Sequence, residues 1–247
     1  MKKIFYVLLG ICLLSCSSSN DEVVEDTRDL QPDKAYEFYI NAPYSSSTSV
    51  NNTHYQFTYE NGNLKTVFRL TPLSWPIVSL LYQDNQIKVF NGDISSNAYA
   101  LHIIENNRPI KSEYYNFSSE LFKTKLYTYA ENMIAIHEKE GNRDAYITYY
   151  FNSANNLFKQ EILEQKNGLN LGIKTIIYSD YDKSKNPFKK LRLINDICFV
   201  KSLSANNFRK IESSYYDLAS GATTQTEVYN CIYKYDSNGQ VLLYHPL

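Results

Sequence analysis

The chain has 247 residues and balances 25 Lys and Arg against 26 Asp and Glu, for a formal net charge of −1. Near-neutral charge with scattered basic residues excludes an electrostatic nucleic-acid partner. Tyr is abundant at 23 residues, Gly is scarce at 8, and Asn sits at apparent turns, a composition that favours strands.

Lys2 and Lys3 precede an apolar run, residues 4–14. That run suits a signal-peptide core and falls well short of the ~20 residues a spanning helix needs. It ends in Leu13-Leu14-Ser15-Cys16, which resembles the lipobox of bacterial lipoproteins, with Leu14 bulkier than usual there. The expectation is a signal peptide over 1–15 and a lipidated Cys16, held durably in the outer membrane by several acyl chains. Residues 16–32 include Ser17, Ser18, Ser19, Asp21, Glu22, Glu25, Asp26 and Asp29. So polar and acidic a stretch predicts a tether. Residues 33–247 then form one domain.

A six-residue frame recurs in that domain: aromatic, any residue, two turn residues, any residue, aliphatic. It occurs as Tyr59-Glu60-Asn61-Gly62-Asn63-Leu64, as Tyr82-Gln83-Asp84-Asn85-Gln86-Ile87 and as Tyr129-Ala130-Glu131-Asn132-Met133-Ile134. A degenerate copy begins at Ile104, and looser copies begin at Tyr149, Tyr178 and Tyr233. Asn61-Gly62 suits a type I′ turn, which needs positive φ at both positions. That turn sets Tyr59 against Leu64, Phe57 against Thr66 and Tyr55 against Phe68. Tyr55, Phe57, Tyr59, Leu64 and Phe68 then share one face. Ser237-Asn238-Gly239 fits a three-residue loop. Each unit is two strands and two turns, and successive units extend one meander. The domain reads as all-β: a large, curved antiparallel meander of hairpin repeats with very little helix, barrel closure being left open.

Tyr233-Lys234-Tyr235-Asp236-Ser237-Asn238-Gly239 resembles the YD-repeat unit of Rhs-type proteins. Tyr181-Asp182-Lys183-Ser184-Lys185-Asn186-Pro187-Phe188, with the later Ser204-Ala205-Asn206-Asn207-Phe208-Arg209-Lys210-Ile211, narrows this. Together they resemble a family of uncharacterised secreted lipoproteins whose domain is described as porin-like. That resemblance implies a large curved sheet and carries no functional residues with it. A transmembrane barrel is disfavoured by the lipoprotein route and by the non-aromatic end His245-Pro246-Leu247.

Asn186 and Pro187 can cap and start a short turn through Leu191. Trp75, between Pro72 and Pro76, reads as a hydrophobic plug. With Cys12 in the signal segment and Cys16 lipidated, Cys198 and Cys231 remain. Residues 197–203 and 228–235 look strand-like with one strand between, so the two thiols would sit about 9–10 Å apart, beyond disulfide reach. Both are expected buried and reduced.

No metal spacing links His54, His102, His137 and His245, and His54 falls on the polar face of its strand. Asp180-x-Asp182-x-Ser184-x-Asn186 imitates the start of a calcium loop, but Lys185 and Leu191 occupy the positions that need Gly and Glu. The carboxylate pairs Asp180/Asp182 and Glu138/Glu140 have a spacing common by chance. No catalytic motif, metal or cofactor is predicted. The expected role is a non-catalytic binding module for a glycan or protein ligand. A structural envelope scaffold and a glycan-active enzyme with carboxylates converging across strands are the alternatives. The neighbours Tyr114-Tyr115, Tyr149-Tyr150 and Tyr215-Tyr216 should point to opposite faces, leaving rings outside the core as a platform.

Overall fold

The computed structural model describes residues 29–42, 53–70 and 75–245; Cys16, the signal segment and most of the tether lie outside them. Fourteen strands form one antiparallel sheet in strict sequence order. After β1 (Lys34–Tyr36) and helix α1 (Glu37–Asn41) come the hairpin partners β2 (His54–Glu60) and β3 (Asn63–Leu70). The meander continues through β4 (Trp75–Gln83), β5 (Gln86–Asn91), β6 (Tyr99–Glu105), β7 (Arg108–Tyr115), β8 (Leu121–Ala130) and β9 (Met133–Glu140). Next are β10 (Arg143–Phe151), β11 (Leu157–Lys166) and β12 (Leu169–Tyr181). Helix α2 (Asp196–Leu203) interrupts before β13 (Phe208–Asp217) and β14 (Ala222–Asn230), and a small hairpin, β15 (Lys234–Tyr235) with β16 (Val241–Leu242), ends the chain.

The turn residues explain the strand order. Asn61 and Gly62 have φ of 51° and 75°, the positive pair a type I′ turn requires, and Asn can enter that region because its short side chain bonds locally. The frame also places turns correctly at 84–85, 106–107 and 131–132, between β4 and β5, β6 and β7, and β8 and β9. The Ser237-Asn238-Gly239 loop closes as expected, with Asp236 and Gln240 bonded across it and Gly239 at φ 75°.

Three expectations need correction. Tyr59 does face Leu64, but the register then slips by one, so Phe57 faces Val67 and Tyr55 faces Arg69. The bulge puts Val67 rather than Phe68 in the core, because one extra residue reverses every later side chain. The copy at Tyr178 makes no hairpin: β12 runs on to Tyr181, with Asp180 at φ 56°. Residues 197–203, read as a strand, lie in α2. Their β-branched content is overridden by the cap, since Asn195 Oδ1 accepts from Cys198 N at 2.8 Å, and by burial against the sheet.

The sheet wraps around this excursion. Phe199 of α2 meets Tyr127 and Tyr149 edge-on at 6.1 and 6.2 Å. Lys201 Nζ donates to the carbonyls of Tyr39 and Ala42, both at 2.8 Å, and so caps the C-terminal end of α1. The sheet is not closed. Beside β1, Tyr36 N donates to Leu243 O, and the Tyr36 ring packs on Tyr244. The outer face carries the ion pairs Lys111–Glu113, Lys159–Glu161 and Lys210–Glu212. An open edge distinguishes this sheet from a closed transmembrane barrel. Among the described residues, no helix is long and apolar enough to cross a membrane.

Candidate functional site

Between the inner face of β5–β8 and the segment entering α2 lies a cavity of about 490 Å³, within the usual range for a ligand pocket. Its origin is local. Val89, Ala100 and Tyr114 are successive cross-strand partners, and the methyl group of Ala100 leaves space that a larger side chain would fill. His102, Tyr127 and Phe199 line the interior, Arg192 to Asp196 form one wall, and Phe117 and Phe122 stand at the rim.

A polar network lies along the floor. His102 Nδ1 is 2.7 Å from Ser112 Oγ, which is 3.1 Å from the Tyr127 hydroxyl. Burial, helped by the charge of Lys125, pushes the His102 pKa down to about 4. Lys125 is bound on two sides, to Asp196 at 2.7 Å and Glu138 at 2.9 Å. Burial works against its charge, but Asp196, Tyr114 and Glu138 outweigh it and hold the ammonium firmly protonated. Burial pushes the Asp196 carboxyl up; the charge and hydrogen bond of Lys125, aided by Lys123, more than offset this and hold it below its ordinary value. Its side chain stays 60% exposed, open to the cavity. Lys123 stacks over the Tyr114 ring at 4.3 Å.

The histidine and serine are therefore poorly suited to catalysis. A base with a pKa of about 4 is weak at neutral pH. Ser112 has no solvent-exposed surface, so its hydroxyl cannot meet a substrate.

The other candidate residues are dispersed. Asp182 accepts from Ser184, Asn207 and Tyr235, Asp180 pairs with Arg209, and Asn186 donates to the Lys201 and Ser204 carbonyls while capping Phe188 N. The calcium-like stretch is thus a hydrogen-bonded corner joining β12, the α2 loop and the C-terminal hairpin. It includes the expected turn, a short 3₁₀ segment over Lys189–Leu191. His54 packs on Tyr244 and is half buried rather than solvated. His137 pairs with Asp144 and stacks on Tyr146. His245 lies against Tyr36. Trp75 is 44% exposed at the start of β4 and plugs nothing. Cys198 and Cys231 are both buried and unbridged, as expected, but Cys198 reaches its position on a helix.

The tyrosine pairs split between faces as alternation requires. Tyr114, Tyr149 and Tyr215 have inner parity; Tyr115, Tyr150 and Tyr216 face outward. The outer rings make no single platform, since β7, β10 and β13, which carry them, are three strands apart in the sheet; Tyr115 bonds Glu113 and Tyr150 bonds Glu161. The rings that do gather in a concavity are Tyr114 and Tyr127, with Phe199, around the cavity, while Tyr99 and Tyr115 stack on each other at 4.7 Å with the outward parity. Sequence reading missed Ala100, His102 and Arg192 because they converge only when four strands meet α2.

Among solved structures, a porin-like protein from Bacteroides vulgatus ATCC 8482 aligns with a TM-score of 0.54 at 12% identity, over 76% of this chain and 84% of that one. The fold resembles that porin-like protein. A porin-like protein from Bacteroides uniformis ATCC 8492 gives a TM-score of 0.47 at 12% identity, over 76% of this chain and 80% of that one. No family profile and no curated protein matches. At such identity the likeness is one of fold.

Proposed function

We propose that the protein is a cell-envelope lipoprotein, anchored in the outer membrane through Cys16, whose domain binds a ligand and does not catalyse. The observation that carries the binding role is the aromatic cavity between β5–β8 and the α2 segment, where Tyr114, Tyr127 and Phe199 offer apolar surface beside polar groups. The weak base and inaccessible hydroxyl on its floor favour binding over turnover. Ala100→Trp, which fills the cavity, should abolish binding of any cognate ligand drawn from glycan, peptide and amphiphile panels, with the native fold checked by circular dichroism. Binding left intact in that variant places the site elsewhere. Cys16→Ala should prevent fatty-acid labelling and release the protein from the membrane fraction; label that still attaches removes the anchor from the proposal.

A second reading rests on one observation. Glu138, Glu140, Asp144 and Glu164 line a concavity of about 820 Å³ at the β9–β12 rim, a setting in which carboxylates from different strands could act on a glycan. Three of them are already engaged, with Lys125, His137 and Tyr215 respectively. Release of reducing sugar from a polysaccharide panel, lost in Glu140→Gln, would favour this enzyme reading.

A further inference from the structure

Next to the aromatic cavity is a second recess of about 330 Å³, and Arg192, Pro109 and Phe199 line both. The two spaces therefore adjoin along one wall. The second differs in charge. Arg108 at the start of β7, Lys189 of the 3₁₀ turn and Arg192 just beyond it surround it, together with the Tyr129 ring.

None of these three cations forms an ion pair among the described residues. Arg192 donates to the Asn107 carbonyl at 3.2 Å, and Arg108 sits 5.3 Å over the Tyr129 ring. The carboxylates that face the recess are Asp29 and Glu131, two against three, neither within salt-bridge distance of a cation there. Lys189 is half buried, and burial disfavours its charge; the pull of Asp29 opposes this in part, and the repulsion of Arg192 adds a smaller push in the direction of burial. A cation held half out of water without a direct ion pair is an unfavourable arrangement that a bound anion relieves. The contrast with the adjoining cavity is direct: its acid, Asp196, is already matched by Lys125 and Lys123. The aromatic cavity is thus mainly apolar, with its one acid held by two lysines, and the recess across the shared Pro109, Arg192 and Phe199 wall is net positive.

We infer that this double pocket binds an anionic amphiphile, its carboxylate or phosphate head at Arg108, Lys189 and Arg192 and its apolar body in the chamber lined by Ala100, Tyr114 and Phe199. Guanidinium groups take such heads through paired N–H donors, and the aromatic chamber removes the tail from water. The inference rests on the proposed binding role of the cavity and names its ligand class.

Titration calorimetry of the purified protein, below micelle-forming concentrations, tests it with four probes: dodecanoate, dodecyl phosphate, the uncharged glycerol monododecanoate and inorganic phosphate. The two anionic amphiphiles should bind saturably at one site. The uncharged ester should bind about tenfold or more weakly, and Arg192→Gln and Lys189→Gln should each weaken the anions by a similar factor, the effect of losing one charged hydrogen bond. Ala100→Trp should weaken all tailed probes. Uncharged ester binding as tightly as the anions, or affinities unmoved by both charge variants, overturns the inference. Inorganic phosphate binding as tightly as dodecyl phosphate reduces the site to a simple anion site and overturns it too. Should Ala100→Trp fold poorly, the Arg192→Gln and Lys189→Gln variants decide alone. A glycan or peptide whose binding Ala100→Trp abolishes, with anionic amphiphiles inactive, would keep the cavity reading and discard this one; no Ala100→Trp-sensitive ligand of any class would discard both.

Discussion

His102 shows how one residue can be chemically present yet disarmed. Its neighbours Ser112 and Tyr127 complete a hydrogen-bonded chain, while burial drives its pKa from 6.5 to about 4. The folded state therefore prefers the neutral ring. This contribution is fully present above pH 6.5 and is lost as pH falls from 6.5 towards 4, where the unfolded chain binds a proton that the folded one refuses. The span corresponds to about 3 kcal/mol. Urea midpoints measured between pH 7 and 4 should fall more steeply for the wild type than for His102→Gln. Parallel curves would show that His102 is not the buried titrating group. The tyrosines teach a related point: their alternation was legible, but that Tyr114 and Tyr127 would line one cavity with Phe199 was decided by the packing of α2 on the sheet.

At the scale of elements, the hairpins and α2 contrast. The frame around Asn61-Gly62 is self-sufficient, since turn residues and alternation specify the same pairing locally. Helix α2 is not. Its run Ile197-Cys198-Phe199-Val200 has β-type residues, and the helix stands because Asn195 caps it and α1 packs on it. Asn195 also donates to Ile40 O at 3.2 Å, joining both helices. Asn195→Ala should therefore cost about 1–2 kcal/mol, towards the upper part of the range for a lost N-cap, read as a lower urea midpoint with an unchanged slope. A loss under a few tenths of a kcal/mol would show that sheet packing alone sustains α2. The register slip in β3 has the same lesson: a bulge is a one-residue event that alternation does not announce until Val67 is seen inside.

At the scale of the molecule, an open sheet survives because its first strand is stapled by the last residues of the chain. Leu243 is 3% exposed and its carbonyl receives Tyr36 N. Leu243→Ala should cost about 2–4 kcal/mol, as buried leucine truncations do, and should speed amide exchange in β1 more than in the central β9 and β10. Uniform acceleration across the sheet would mean that the seam opens only in global unfolding.

The amino-acid sequence alone determined the strand class, the meander order, and the turns at 61–62, 84–85, 106–107 and 237–239. All of these depend on neighbours a few residues apart, where period-two alternation and turn stereochemistry act directly. Tertiary structure alone decided that 197–203 is helical, that the sheet stays open, and that Ala100, Tyr114, Arg108, Lys189 and Arg192 line adjoining spaces. Those outcomes depend on how far fourteen strands curl before meeting α2. That curl sums small twists from every strand pair and bulge, and no local stretch of sequence encodes the sum.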